Sequence, residues 1–151
     1  MATSELSHTF VVYIRSSLER VWKAVTEAEF TRQYFFGSTV TSDWKPGSSI
    51  IYTIPDEEGG TKVAVEGEII ECTPMTRLSH TFTFPRFDED YSRVTYELEE
   101  FDDMVKLTLL HDKFPAGSKI YSEVQKGWPW LISNMKSLLE TGETLPQPKN
   151  W

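Results

Sequence analysis

Lys119 to Thr141 reads KIYSEVQKGWPWLISNMKSLLET. Its apolar residues fall at Tyr121, Val124, Trp128, Leu131, Ile132, Met135, Leu138 and Leu139, in steps of three and four that make one helical stripe. Lys119, Glu123, Lys126, Ser133, Lys136 and Glu140 take the other face. Gly117-Ser118 can cap the start, and Gly142 stands where a C-terminal cap belongs. A helix of this length spans roughly 35 Å at about 1.5 Å per residue, enough to cross a whole sheet. Pro129 lacks an amide donor and crowds the preceding turn, which predicts a kink near Gly127-Trp128.

The chain upstream supplies the sheet. His8 to Ile14 alternates as a strand. Ser16 and Glu19 have capping-box spacing, and Leu18, Val21, Trp22 and Val25 follow as a first helix. Glu29 to Phe36, EFTRQYFF, reads as a second short helix stopped by Gly37. Strand-like stretches follow at Thr39 to Trp44, Ser49 to Ile54, Lys62 to Glu71, Arg77 to Phe84, Arg93 to Glu100 and Met104 to Lys113. Between them stand turn residues such as Lys45-Pro46-Gly47, Asp56 to Gly60, Thr73-Pro74-Met75 and Asp102-Asp103. Hairpin-length connections imply an antiparallel sheet. Leu78, His80, Phe82 and Phe84 share one face, as do Val94, Tyr96 and Leu98, and Val105, Leu107, Leu109 and His111. One face is therefore buried, and the long helix is its cover. The expectation is an α+β fold: a curved antiparallel sheet of about seven strands wrapped around the C-terminal helix, with two short helices after strand 1. Residues 1–151 are expected to form a single domain, with a frayed tail from Gly142 onward.

Composition narrows the function. The 151 residues carry 15 basic and 23 acidic side chains, a net charge of −8, which argues against nucleic acid and anionic membranes as partners. No apolar run is long enough to span a bilayer. The opening MATSELSHTF lacks the pattern of a signal peptide. Cys72 is the single cysteine, so a reducing, cytoplasmic setting is expected, with no intrachain disulfide. No phosphate loop, dinucleotide fingerprint, GxSxG elbow or metal-ligand spacing is present, so no cofactor or metal is expected.

Two stretches carry a resemblance. IRSSLERVWKAVTEAEFTRQYF, Ile14 to Phe35, has a Val-Trp pair in its helix. GWPWLISNMKSLLETG, Gly127 to Gly142, has Gly-Trp, spaced leucines and a closing Leu-Glu-x-Gly. His111 before Lys113-Phe114 fits the same pattern. Together they resemble the family named for the activator of the heat-shock protein 90 ATPase (AHSA-like), within the START-like, or SRPBCC, superfamily. The resemblance implies the helix-grip fold. The family's activator has an additional N-terminal domain, for which this chain has no room, so little chaperone stimulation is expected.

Candidate chemistry is sparse. Glu66, Glu68 and Glu71 look like paired carboxylates, but Glu66 and Glu68 share a strand face that reads as solvated by the pattern around Val63 and Val65, and a catalytic pair needs enclosure. Cys72 reads as a buried bystander. No catalytic residue stands out. His80 and His111 read either as polar anchors or an acid/base pair, or as hydrogen-bonded core histidines. The aromatics point to a cavity, because one helix does not fill a wide curved sheet. The expected lining is Trp44, Tyr52, His80, Phe82, Tyr96, His111, Trp128, Leu131 and Ile132. Phe35-Phe36 and the Pro85 to Tyr91 loop would form its mouth. The first functional reading is a binding protein for a small hydrophobic or aromatic ligand. The alternatives are a cyclase- or hydrolase-type enzyme using the cavity histidines, and an interaction module that assists a protein partner such as the chaperone.

Overall fold

In the computed structural model, residues 6–149 are described. The elements run β1 (His8–Ile14), α1 (Leu18–Thr26), α2 (Ala28–Tyr34), β2 (Thr39–Ser42), β3 (Ser49–Pro55), β4 (Thr61–Thr73), β5 (Arg77–Phe82), β6 (Ser92–Phe101), β7 (Met104–Asp112) and α3 (Lys119–Thr141). The strands form one seven-stranded sheet in the order β1-β7-β6-β5-β4-β3-β2, with every neighbouring pair antiparallel. β1 and β2 lie at opposite edges, so α1 and α2 carry the chain across the sheet. This is the helix-grip arrangement. No helix among the described residues is long and apolar enough to cross a membrane.

The α3 stripe packs as its spacing predicts. Val124, Trp128, Leu131, Ile132, Met135, Leu138 and Leu139 are buried, joined by Ile120 and Asn134. Ser118 caps the start by accepting from the Tyr121 amide at 3.1 Å, and Gly142 closes the end at φ 82°. Pro129 does not divide the helix, which continues as one element. Buried side chains on both sides of Pro129 hold the two halves against the same sheet.

Local corrections have physical causes. The cap of α1 is Ser17, whose hydroxyl accepts from the Arg20 amide at 3.2 Å, and not Ser16. The Arg15 amide is held by the Glu140 carboxylate at 2.7 Å, which delays the helix. α2 stops at Tyr34 because Phe35 turns inward to stack on Tyr52 at 4.6 Å. Phe36 and Gly37 then take positive φ. β2 ends before Trp44, which adopts φ 61°. The tail is also tied down where fraying was expected. The Leu145 amide donates to Asn134 Oδ1 at 2.6 Å, and Trp130 Nε1 donates to the Pro146 carbonyl at 3.1 Å.

Two bulges in β4 shape the sheet. Tyr52 pairs with Val65 and Thr53 with Val63, leaving Ala64 as an extra residue. Val63, expected to share the buried face with Val65, is therefore turned outward and is 38% exposed. A second shift leaves Ile70 unpaired between Ile69 and Glu71. Such insertions bend a strand and redirect its side chains. Between the bulges β5 passes so close that a Cβ on Gly67 would lie 1.8 Å from the Thr81 carbonyl oxygen.

Two stability measurements check this packing. Met135→Ala, at a fully buried position, should cost about 2–5 kcal/mol in a urea melt. Gly67→Ala should cost at least the ~1–3 kcal/mol typical of overpacking, because its obstacle is backbone.

Candidate functional site

Trp128 lies at the centre of the buried stripe, with its indole N–H needing an acceptor in the core. His111 on β7 supplies it: Nε1 donates to His111 Nδ1 at 3.0 Å. An accepting Nδ1 places the imidazole proton on Nε2, 2.7 Å from Ser92 Oγ. Ser92 in turn donates to the Phe82 carbonyl at 3.1 Å. Indole, imidazole, hydroxyl and carbonyl thus form one directed chain from α3 through β7 and β6 to β5. Burial, then the neighbouring His80 and His8, hold His111 well below the ordinary histidine pKa. A neutral ring with both nitrogens engaged is a structural relay and has no proton position left for acid/base work.

His80 is also enclosed. Its Nδ1 donates to the Thr81 carbonyl at 2.7 Å. Burial pushes its pKa down to about 4, only partly opposed by that bond. Burial raises the pKa of both the Tyr52 and the Tyr96 phenol. These rings pack as core.

The cavity lies beside them, between β3–β5 and the first half of α3. It has a volume of about 560 Å³ and is open at one side. Phe35, Phe82, Trp128, Leu131, Val65 and Val124 make its apolar wall, and Phe36 and Phe84 stand toward the mouth. Ile54, Ala64, Gly127, Ser38, Arg86, Glu123, Lys126 and Gln147 complete it. The bulge explains why adjacent residues Ala64 and Val65 both line it. A Cβ at Gly127 would meet nothing within 4 Å, so a small residue on each side leaves the space open. The Arg86 guanidinium sits over Phe84 at 4.6 Å and Phe87 at 4.8 Å, with Glu123 at 3.8 Å.

Of the expected lining, Phe82, Trp128 and Leu131 border this cavity, whereas Tyr52, His80, Tyr96, His111 and Ile132 do not. Those five are packed into the core. Trp44 borders a separate, smaller hollow with Trp22, Thr26, Glu27, Cys72 and Pro74. The rings meet one another along the sheet: the Phe82 and His111 centroids are 4.7 Å apart, so mutual packing fills the centre. Both expected mouth segments, Phe35-Phe36 and the loop through Arg86, do border the cavity. Ser38, Ala64, Val124, Gly127 and Gln147 were not expected. The one sequence signal for them was the pairing of small residues, Ala64 and Gly127, with otherwise bulky faces.

The remaining candidates have little chemistry. Glu68 and Glu71 are exposed, and Glu66 is half-buried, with Tyr91 Oη at 3.5 Å. Burial pushes the Cys72 thiol up, away from the reactive thiolate. No cluster of three or more metal-binding side chains exists among the described residues.

The fold and site define a START-like, helix-grip protein. The family model described as activator of Hsp90 ATPase homolog 1-like protein matches residues 15–140, and the chain belongs to that family. Among solved structures it resembles an HSP90 activator from Plasmodium falciparum, with TM-score 0.72 and 24% identity over 89% of this chain and 96% of the other. It also resembles CalU16 from Micromonospora echinospora, with TM-score 0.74 and 19% identity over 98% of this chain and 84% of the other. The Aha1 dimer from Colwellia psychrerythraea gives TM-score 0.71 and 13% identity over 91% and 98%. No match is found among curated proteins.

The two depressed histidines predict an acid-side stability loss. Each folded pKa lies below the unfolded value near 6.5. The unfolded chain therefore binds the protons first, and stability present above pH ~6.5 falls as pH drops toward 4. Between pH 6 and 5 His80 should contribute a loss of about 1 kcal/mol, measured by urea melts, with His111 adding to it in the same direction. His80→Phe should lower that slope.

Proposed function

We propose that the protein binds a small, mainly apolar molecule in the cavity between the sheet and α3. The observation that carries this reading is a space of about 560 Å³ walled by Phe35, Phe82, Phe84 and Trp128, within the usual range for small-molecule sites. A bicyclic aromatic burying about 300 Å² of apolar surface gains roughly 7 kcal/mol. Immobilisation offsets part of that, leaving a Kd on the order of ten to a hundred micromolar. Binding without chemistry fits the lining better than catalysis does. The only carboxylate among the lining residues belongs to Glu123, half exposed beside Arg86, and His80 and His111 are buried in the core without bordering the cavity.

A second reading follows from the family: assistance to a chaperone, as the description of the P. falciparum neighbour would have it. Saturable stimulation of a purified Hsp90 ATPase by micromolar protein would favour that role over ligand binding.

Calorimetric titration with 2-methylnaphthalene should show saturable binding, accompanied by quenched tryptophan fluorescence and a raised melting temperature. Ala64→Phe, which fills the cavity from the bulge, should abolish all three responses while leaving the unliganded protein folded. Equal binding by wild type and Ala64→Phe would refute this site.

A further inference from the structure

Arg86 stands on the β5–β6 loop and borders the cavity. Its Cζ lies 4.6 Å from the Phe84 ring centroid and 4.8 Å from that of Phe87, and its Nη2 is 3.8 Å from the Glu123 carboxylate on α3. Phe84 and Glu123 themselves border the cavity, so the guanidinium, and not only the residue, stands at the rim. Its side chain is 60% exposed, so a ligand in the mouth can reach it.

Stacking holds it there. A contact of 3.8 Å is too long for a hydrogen bond, and this guanidinium has no other polar partner among the described residues. Arg20, Arg32, Arg77 and Arg93 each donate to a protein oxygen. Arg86 is placed instead by two aromatic rings, whose faces attract a guanidinium without consuming its in-plane N–H donors. The result is a donor fork fixed in place and unspent, at the opening of an apolar space. Such a fork matches the two oxygens of a carboxylate.

The local charge agrees. Arg86 and Lys126 border the cavity against Glu123 alone, a cationic excess in a chain whose net charge is −8. Of the loop's own carboxylates, Glu89 is committed to the Ser118 hydroxyl at 2.7 Å and the Lys119 amide at 2.6 Å, and Asp88 and Asp90 do not border the cavity. The chain as a whole repels an anion, so a preference for one must arise at this rim.

We propose that Arg86 is the polar anchor of the cavity, and that its ligands are apolar carboxylates whose head group displaces Glu123 from the guanidinium while the ring or acyl body enters the apolar space. This rests on the binding reading above and goes further by naming the ligand class and the residue that selects it.

The test uses two probes of nearly the same shape, 2-naphthoate and 2-acetylnaphthalene, which differ by a charged oxygen against a methyl group. Burial and the net charge of the chain both favour the neutral ketone. An anchoring arginine reverses that order, and wild-type protein should bind the carboxylate on the order of tenfold more tightly in a calorimetric titration. Arg86→Met keeps an apolar chain against the two rings and removes the donors; it should erase the preference and leave ketone affinity unchanged. Glu123→Gln removes the competing carboxylate and should tighten 2-naphthoate by about two- to fivefold, again without effect on the ketone. Both side chains are at least half exposed, so both variants should melt with wild type. A wild-type preference for the ketone, or equal loss of both probes in Arg86→Met, would overturn the anchor while leaving the binding site standing. Binding of neither probe by wild type would remove the binding site and the anchor together.

Discussion

The hydrogen bond from the Trp128 indole to His111 is the constraint on which the arrangement of helix and sheet depends. An indole N–H buried in an apolar core carries a penalty unless it meets an acceptor. Only one rotation and one depth of α3 satisfy it here. His111 is then bound to one tautomer, which in turn fixes the direction of the Ser92 hydroxyl toward Phe82. Each member takes its orientation from the one before, so three strands and a helix are registered by a single polar thread. The apolar stripe would tolerate small sliding of the helix, because burial is non-directional. The thread does not. Trp128 also forms part of the cavity wall, so what fixes the helix fixes the shape of the site.

A cavity in a protein interior is an exception that needs a cause, since cores pack nearly as densely as crystals. Here the cause is local. The bulge at Ala64 turns two consecutive residues of β4 to the same side, and one of them is small. Gly127, one residue before Trp128, offers no side chain to meet it. A larger residue at either place would reach across. The tail adds a border on another side: Asn134 and Trp130 draw residues 145 and 146 back against α3, and Gln147 arrives at the cavity.

Much of the fold was legible because burial repeats. Steps of three and four in α3 and of two in β5, β6 and β7 reflect element geometry directly, and the order from β2 to β7 follows from short antiparallel connections. The site was harder to read. Tyr52, His80, Tyr96 and His111 lie on the inward face as their alternation says, but alternation cannot distinguish an inward side chain that borders space from one that meets another ring. That distinction depends on which volumes oppose one another across the sheet and helix. The bulge at Ala64 breaks the two-residue period with no Gly or Pro to mark it, which is why Val63 was placed on the wrong face. Ser38 was invisible for a different reason. A serine after Phe-Phe-Gly is an ordinary turn residue in sequence, and only the helix end that holds its backbone brings it to the border of the cavity.

The division between enclosed histidines and a lined cavity bears on what such a fold can evolve. A neutral, doubly bonded imidazole at the helix–sheet junction is costly to alter, because removing it leaves the Trp128 N–H and the Ser92 hydroxyl without their partners. The cavity residues other than Trp128 are under no such mutual obligation. Ala64, Phe84 and Arg86 contact open space on one side, so their replacement changes volume or charge without orphaning a buried polar group. The cavity lining can therefore drift through the bulge, the α2–β2 turn and the β5–β6 loop while the grip of sheet on helix stays fixed. Fold and cavity lining are separable in this chain because the polar groups that register the helix are different from those that border the cavity.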